Sequence, residues 1–172
     1  MAMSRAFVSE TDTEAAADTL PELPISPHPN YVTRHGLRLL EERVAAARAE
    51  QRRLEAAPED PAKELRLAHL GREIRYLEAR VERAIPVDPA QQPIDEVAFG
   101  AVVDVLGPAE ERQRFAIVGE DEADAEHGKV SWVSPLARAL IGAGVGDTVL
   151  WRRPAGAIEL EIEAIRYPER VA

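Results

Sequence analysis

Apolar residues recur along the first half of the chain at a spacing that only helices use. After Thr33, which offers a hydroxyl as a helix N-cap, they stand at Leu37, Leu40, Val44, Ala47 and Leu54, with Gln51 taking one slot. The steps alternate between three and four, the heptad spacing of a two-helix seam. After the break APEDPA a second series follows at Leu67, Leu70, Ile74, Leu77, Val81 and Ala84. The two series mirror each other: 37 pairs with 84, 40 with 81, 44 with 77 and 54 with 67, about a centre between Asp60 and Pro61. An antiparallel hairpin requires such a mirror, because each layer takes one residue from each arm. The pattern predicts a helical hairpin over residues 31–85 with its turn at 58–62. Its arms of about 20 residues reach roughly 30 Å, a shape suited to entering a channel.

The second half changes period. Short β-rich runs stand at 99–106, 112–119, 129–133, 147–153 and 158–167. The last alternates, with Ile158, Leu160, Ile162 and Ala164 on one face and Glu159, Glu161 and Glu163 on the other. Between the third and fourth runs, SPLARALIGAGVGD reads as a short helix with Ser134 as cap, Pro135 in the first turn and glycine stops. These signals predict an α+β chain: an antiparallel coiled-coil hairpin, a linker at 86–93 marked by Pro86, Pro89 and Pro93, and an antiparallel sheet with one helix at 94–172. Residues 1–30 carry prolines at 21, 24, 27 and 29 and read as an extended or disordered lead-in.

Charge then narrows the function. The formal net charge is −10, which argues against a general grip on nucleic-acid phosphates. The segment 33–84 holds 12 Lys and Arg against 10 Asp and Glu, so a slightly basic hairpin is flanked by acidic sequence. There is no cysteine, which removes disulfides and thiolate chemistry. No apolar run is long enough to span a membrane, and the first 20 residues lack a signal-peptide core. His28, His35, His69 and His127 show no metal-ligand spacing. No serine has a histidine and acid in recognisable context, and no glycine run cradles a phosphate. A cytoplasmic monomer with no cofactor of its own is the expectation.

Several stretches together resemble the GreA/GreB family of transcript-cleavage factors: VTRHGLRLLEE, FGAVVDV, FAIVGEDEAD, KVSWVSPLARALIGAGVGDTV and RRPAGAIELEIEAIRY. Their order and approximate spacing match over residues 31–167, and IVGEDEAD followed by SPLARAL is the most specific part. The resemblance implies an accessory factor, not itself an enzyme, whose hairpin enters the secondary channel of bacterial RNA polymerase. It implies an FKBP-like C-terminal domain at the channel rim, and work on DNA only through that partner. An isomerase function would need a deep aromatic pocket, and Phe99, Phe115, Trp132, Trp151 and Tyr167 are expected mostly in the core. In such factors acidic residues at the hairpin tip help hold a Mg²⁺ of the polymerase while it hydrolyses backtracked RNA. Carboxylate oxygens suit that hard cation.

At the tip this chain departs from the family. It reads Ala57-Pro58-Glu59-Asp60-Pro61-Ala62-Lys63-Glu64 where relatives carry a motif like GDLSENAEY, and each arm is about a heptad shorter, roughly 10 Å of reach. Glu59 and Asp60 are the acids at the symmetry centre and inherit the Mg²⁺ role; their plainer reading is a polar turn before a helix N-terminus. Glu120, Asp121, Glu122, Ser134 and Pro135 are the residues the resemblance assigns to polymerase contact. The alternative function is a binding-only regulator of the polymerase, a channel competitor or inhibitor such as the short-armed regulators of nucleoside diphosphate kinase, without cleavage activity.

Overall fold

The computed structural model describes residues 20–168, which fall into two compact units. One comprises the segment up to Pro27 and residues 40–82; the other comprises residues 28–39 and the chain from Arg83 onward.

The first unit is built on a hairpin of α1 (Arg34–Ala56), from residue 40 onward, and α2 (Lys63–Glu82). Its loop, residues 57–62, falls on the expected turn. Leu40, Ile74 and Leu77 are buried, while Val44, Leu54, Leu67, Leu70 and Val81 are half-buried, as befits a seam only two helices wide. Val44 and Val81 line one small cavity together with Glu41 and Glu78, in keeping with the mirrored register. The Arg48 Nε donates to the Glu78 carboxylate at 2.7 Å and ties the arms from outside the seam.

The ends of the helices follow from local chemistry. Thr33 Oγ1 accepts from the Gly36 amide at 2.8 Å and starts α1. Proline at 58 and at 61 stops both arms from continuing. The carbonyls left at the end of α1 are met by Lys63, whose ammonium donates to Glu55 O at 3.2 Å and Ala57 O at 2.8 Å. Lys63 is 8% exposed, an uncommon state for a lysine and explained by those acceptors.

In the second unit a five-stranded sheet runs in the order β5-β4-β3-β7-β6: β3 (Val102–Leu106), β4 (Arg112–Val118), β5 (Lys129–Ser131), β6 (Thr148–Arg153) and β7 (Gly156–Arg166). The inward faces of Val103, Val105, Ile117, Leu160 and Ile162 are fully buried in one core with Leu136, Ala137 and Leu140 of α3 (Pro135–Leu140). Phe115 and Trp151 meet edge to face at 6.2 Å beside that core. The α+β class stands as read.

Three features depart from the sequence reading. The sheet is not wholly antiparallel: β4 and β5 pair parallel, because the ten residues between them cross over rather than fold back as a hairpin. The alternation in β7 changes phase at a bulge opposite Asp104 and Val105, so Ala164 pairs with Asp104 and Ile165 and Tyr167 turn to the core instead. Finally, β1 (Asn30–Val32) and β2 (Ala84–Pro86) form a parallel two-stranded ladder, where the sequence reading ran the hairpin over 31–85 and counted Ala84 as its last seam position. Tyr31 of β1 packs edge-on to Trp132 at 5.0 Å, and its carbonyl lies so near Gly119 that a Cβ there would stand 2.6 Å away. Only glycine at 119 admits β1 to this position.

Candidate functional site

The hairpin turn carries the acids that sequence singled out, and the structure gives each a partner. Glu59 accepts from Lys63 Nζ at 2.8 Å through one oxygen and is otherwise in water, with its side chain 91% exposed. Asp60 is a turn-former: its Oδ1 accepts from the Ala62 amide at 3.1 Å, its carbonyl takes the Lys63 amide at 2.8 Å, and its Oδ2 pairs with Arg66. The two carboxylates are thus brought to one turn but matched by two cations from the first turn of α2. Glu64 lies on the exposed side of that same turn. Among the described residues no three His, Asp or Glu side chains gather as a metal site, so any cation at the tip would need ligands from elsewhere.

The acidic stretch after β4 does not behave as one solvated string. Glu122 turns inward, its side chain 6% exposed. Its Oε2 accepts from the Thr33 hydroxyl at 2.5 Å, and its Oε1 faces Lys129 Nζ at 3.4 Å. Thr33 therefore uses both functions of its hydroxyl, donating to Glu122 and accepting from the first turn of α1. A Cβ on Gly36 would stand 2.7 Å from Glu122 Oε2, so glycine leaves room for the carboxylate. Glu122 is thus held internally, with one oxygen on Thr33 and the other facing Lys129.

Glu120 and Asp121 are half-buried, and one Glu120 oxygen lies out of reach of water. Asp124 caps a 3-10 turn through the Glu126 amide, and His127 Nδ1 stands 2.7 Å from its other oxygen, which holds the Asp124 carboxyl below its ordinary range. Ser134 caps α3, accepting from the Ala137 amide at 3.1 Å, and Pro135 is exposed beside it. For Ser134 and Pro135 these are the local roles the sequence assigned.

Two features escaped the sequence reading. A cavity of about 240 Å³ lies on the sheet face away from α3, walled by Phe99, Val102, Ala116 and Val87, with Thr33 and Glu122 on its polar side. Among the described residues its lining holds one Phe, Phe99, and no Trp or Tyr. On the same sheet face Asp104 sits between Arg114 at 2.6 Å and Arg166 at 2.5 Å, and these guanidiniums, Arg114 foremost, hold its carboxyl down to about 2. Arg112 pairs with Glu163 alongside, at 2.9 Å. The partners lie on three strands, and only the register brings them together.

Taken together, this is a protein of two units, one built on a helical hairpin and the other on a five-stranded sheet with a short helix. Residues 91–167 match the family described as "Transcription elongation factor, GreA/GreB, C-term". Over 103 residues the chain is 44% identical to transcription elongation factor GreB of Neisseria meningitidis serogroup B, covering 59% of this chain and 63% of that protein. Over 125 residues it is 43% identical to transcription elongation factor GreA of a Methylobacterium species, covering 72% of this chain and 78% of that protein. The solved structure of a GreA/GreB elongation factor from Nitrosomonas europaea aligns over 80% of this chain and 98% of its own, at 24% identity and a TM-score of 0.40. The chain belongs to the GreA/GreB family.

Proposed function

We propose that this protein binds bacterial RNA polymerase as a cytoplasmic, monomeric accessory factor and modulates transcription elongation, its hairpin entering the secondary channel. The observation that carries the reading is the 43% identity to an elongation factor GreA along most of that protein, together with a two-helix hairpin ending in an acid-bearing turn. No helix among the described residues is long and apolar enough to cross a membrane, which is compatible with this partner.

At the tip, Glu59 is the acid best placed to lend an oxygen to a polymerase-held Mg²⁺ near backtracked RNA. It extends into solvent, and release from Lys63 is all that a second ligand contact requires. Asp60 supports the turn and would follow only by giving up its Arg66 and amide bonds. This chain brings no metal; the ion would be the polymerase's.

A second reading, binding without stimulated cleavage, is favoured by one specific observation. Both tip acids are already matched by cations, Glu59 by Lys63 and Asp60 by Arg66, so the turn presents little net negative charge to a metal. Such a factor would occupy the channel and compete with others.

The polymerase-facing surface of the sheet unit would comprise Glu120, Asp121 and the Ser134–Pro135 corner. Its test is equilibrium binding to core polymerase with charge reversed at Glu120 and Asp121 and Glu122 left intact, so that α1 keeps its anchor. The E120K/D121K variant should bind about three- to tenfold more weakly and with a shallower salt dependence. A folded variant that binds like the wild type removes this loop from the interface.

A further inference from the structure

Residues 20–27 do not hang free of the hairpin. Pro21 offers its carbonyl to Arg72 Nη1 at 3.2 Å, and the Glu22 carboxylate takes Arg75 through Nε at 3.0 Å and Nη2 at 2.6 Å. Leu23 is half-buried and lines a groove of about 520 Å³ together with Leu54 of α1 and Leu70 and Tyr76 of α2. Prolines at 21, 24 and 27 keep the segment extended and reduce the entropy lost when it lies down. We propose that residues 20–27 are a displaceable strap on the second arm, closed in the free protein and opened when the hairpin engages the polymerase.

The strength of the contacts favours a cover over a brace. Glu22 and Arg75 are both more than half exposed, so water and salt compete with their pairing, and such pairs contribute little on their own. Leu23 fills only part of the groove. The short tether favours closure by keeping the two sides near each other, at an effective concentration of millimolar order, so that Pro21, Glu22 and Leu23 act together. Arg75 also holds the Glu22 carboxyl below its usual value through their hydrogen bonds.

What the strap covers gives the closure a consequence. Arg66, Arg72 and Arg75 form a row of cations along α2, and Arg66 and Arg72 line the same groove as the half-buried Leu54 and Leu70. Glu22 lays a carboxylate on the end of that row from outside the hairpin, where an acidic group of the channel wall would otherwise make the same bond. Binding to the polymerase is then reduced by the fraction of molecules whose strap is open.

This inference rests on the polymerase reading, so the test has one arm that needs no polymerase. The chain has no cysteine, so Leu20→Cys, at the end of the strap far from β1, provides a single attachment point for a nitroxide. In the free protein the label should broaden the NMR signals of α2 near Arg72 and Arg75. The broadening should vanish in E22R and return in the charge-swapped E22R/R75E. In the second arm E22R should bind core polymerase about three- to tenfold more tightly than the wild type, and the swapped pair should return to the wild-type value. Broadening unchanged by E22R overturns the strap contact. Lost broadening with no gain in affinity overturns its inhibitory role. If no variant binds polymerase while broadening behaves as described, the polymerase reading fails, and the competition with it.

Discussion

Replacing Lys63 by methionine is expected to loosen the hairpin tip by about 1–3 kcal/mol. Methionine keeps an unbranched apolar stem of similar length but removes the donors that meet Glu55 O, Ala57 O and Glu59. The two carbonyls would then end α1 without their partner. Helicity followed at 222 nm should melt earlier, with the lost protection in amide exchange confined to the last turn of α1 and the first of α2. A K63M variant that melts with the wild type would mean that water satisfies those carbonyls as well as the ammonium does.

The largest functional effect is expected at the turn. In E59A/D60A the tip loses both carboxylates while Pro58 and Pro61 remain to form the loop. Binding to polymerase should persist. If the wild type stimulates cleavage of backtracked RNA, stimulation by the variant should fall at least tenfold, about 1.4 kcal/mol of transition-state stabilisation. Glu59→Ala alone should account for most of that loss, since Asp60 is committed to the turn and to Arg66. Undiminished cleavage by the double variant assigns both acids to the turn only. Wild-type binding without any stimulation supports the binding-only reading and traces it to a tip whose acids are neutralised by Lys63 and Arg66.

The parts of the molecule that the sequence made legible are those whose signal is periodic or strictly local. The mirrored heptads of 37–54 and 67–84 located both arms and the turn, because an antiparallel pair constrains two segments at once. The Ser134–Pro135 cap and the five strand runs were legible for the same reason: each rests on neighbours within a few residues. What escaped depends on residues far apart in the chain. Lys63 reads as one more surface cation until the turn closes and puts two carbonyls beside it. Glu122 reads as one acid among five, and only its contact with Thr33, 89 positions earlier, shows that it faces inward. β1 and β2 are three residues each, too short for alternation to be recognised. The phase change in β7 follows from a bulge, which composition does not announce.

The central claim, that the hairpin of this protein enters the polymerase, is tested most directly by asking where its tip lies when bound. Pro58→Cys is exposed, stands next to Glu59 and would be the chain's single thiol, so it can carry an iron chelate that releases hydroxyl radicals locally. With core RNA polymerase, the account predicts cleavage of the polymerase chains around the active centre, suppressed by an excess of unlabelled protein. Cleavage confined to the outer surface of the polymerase, with the labelled protein still bound, would contradict it.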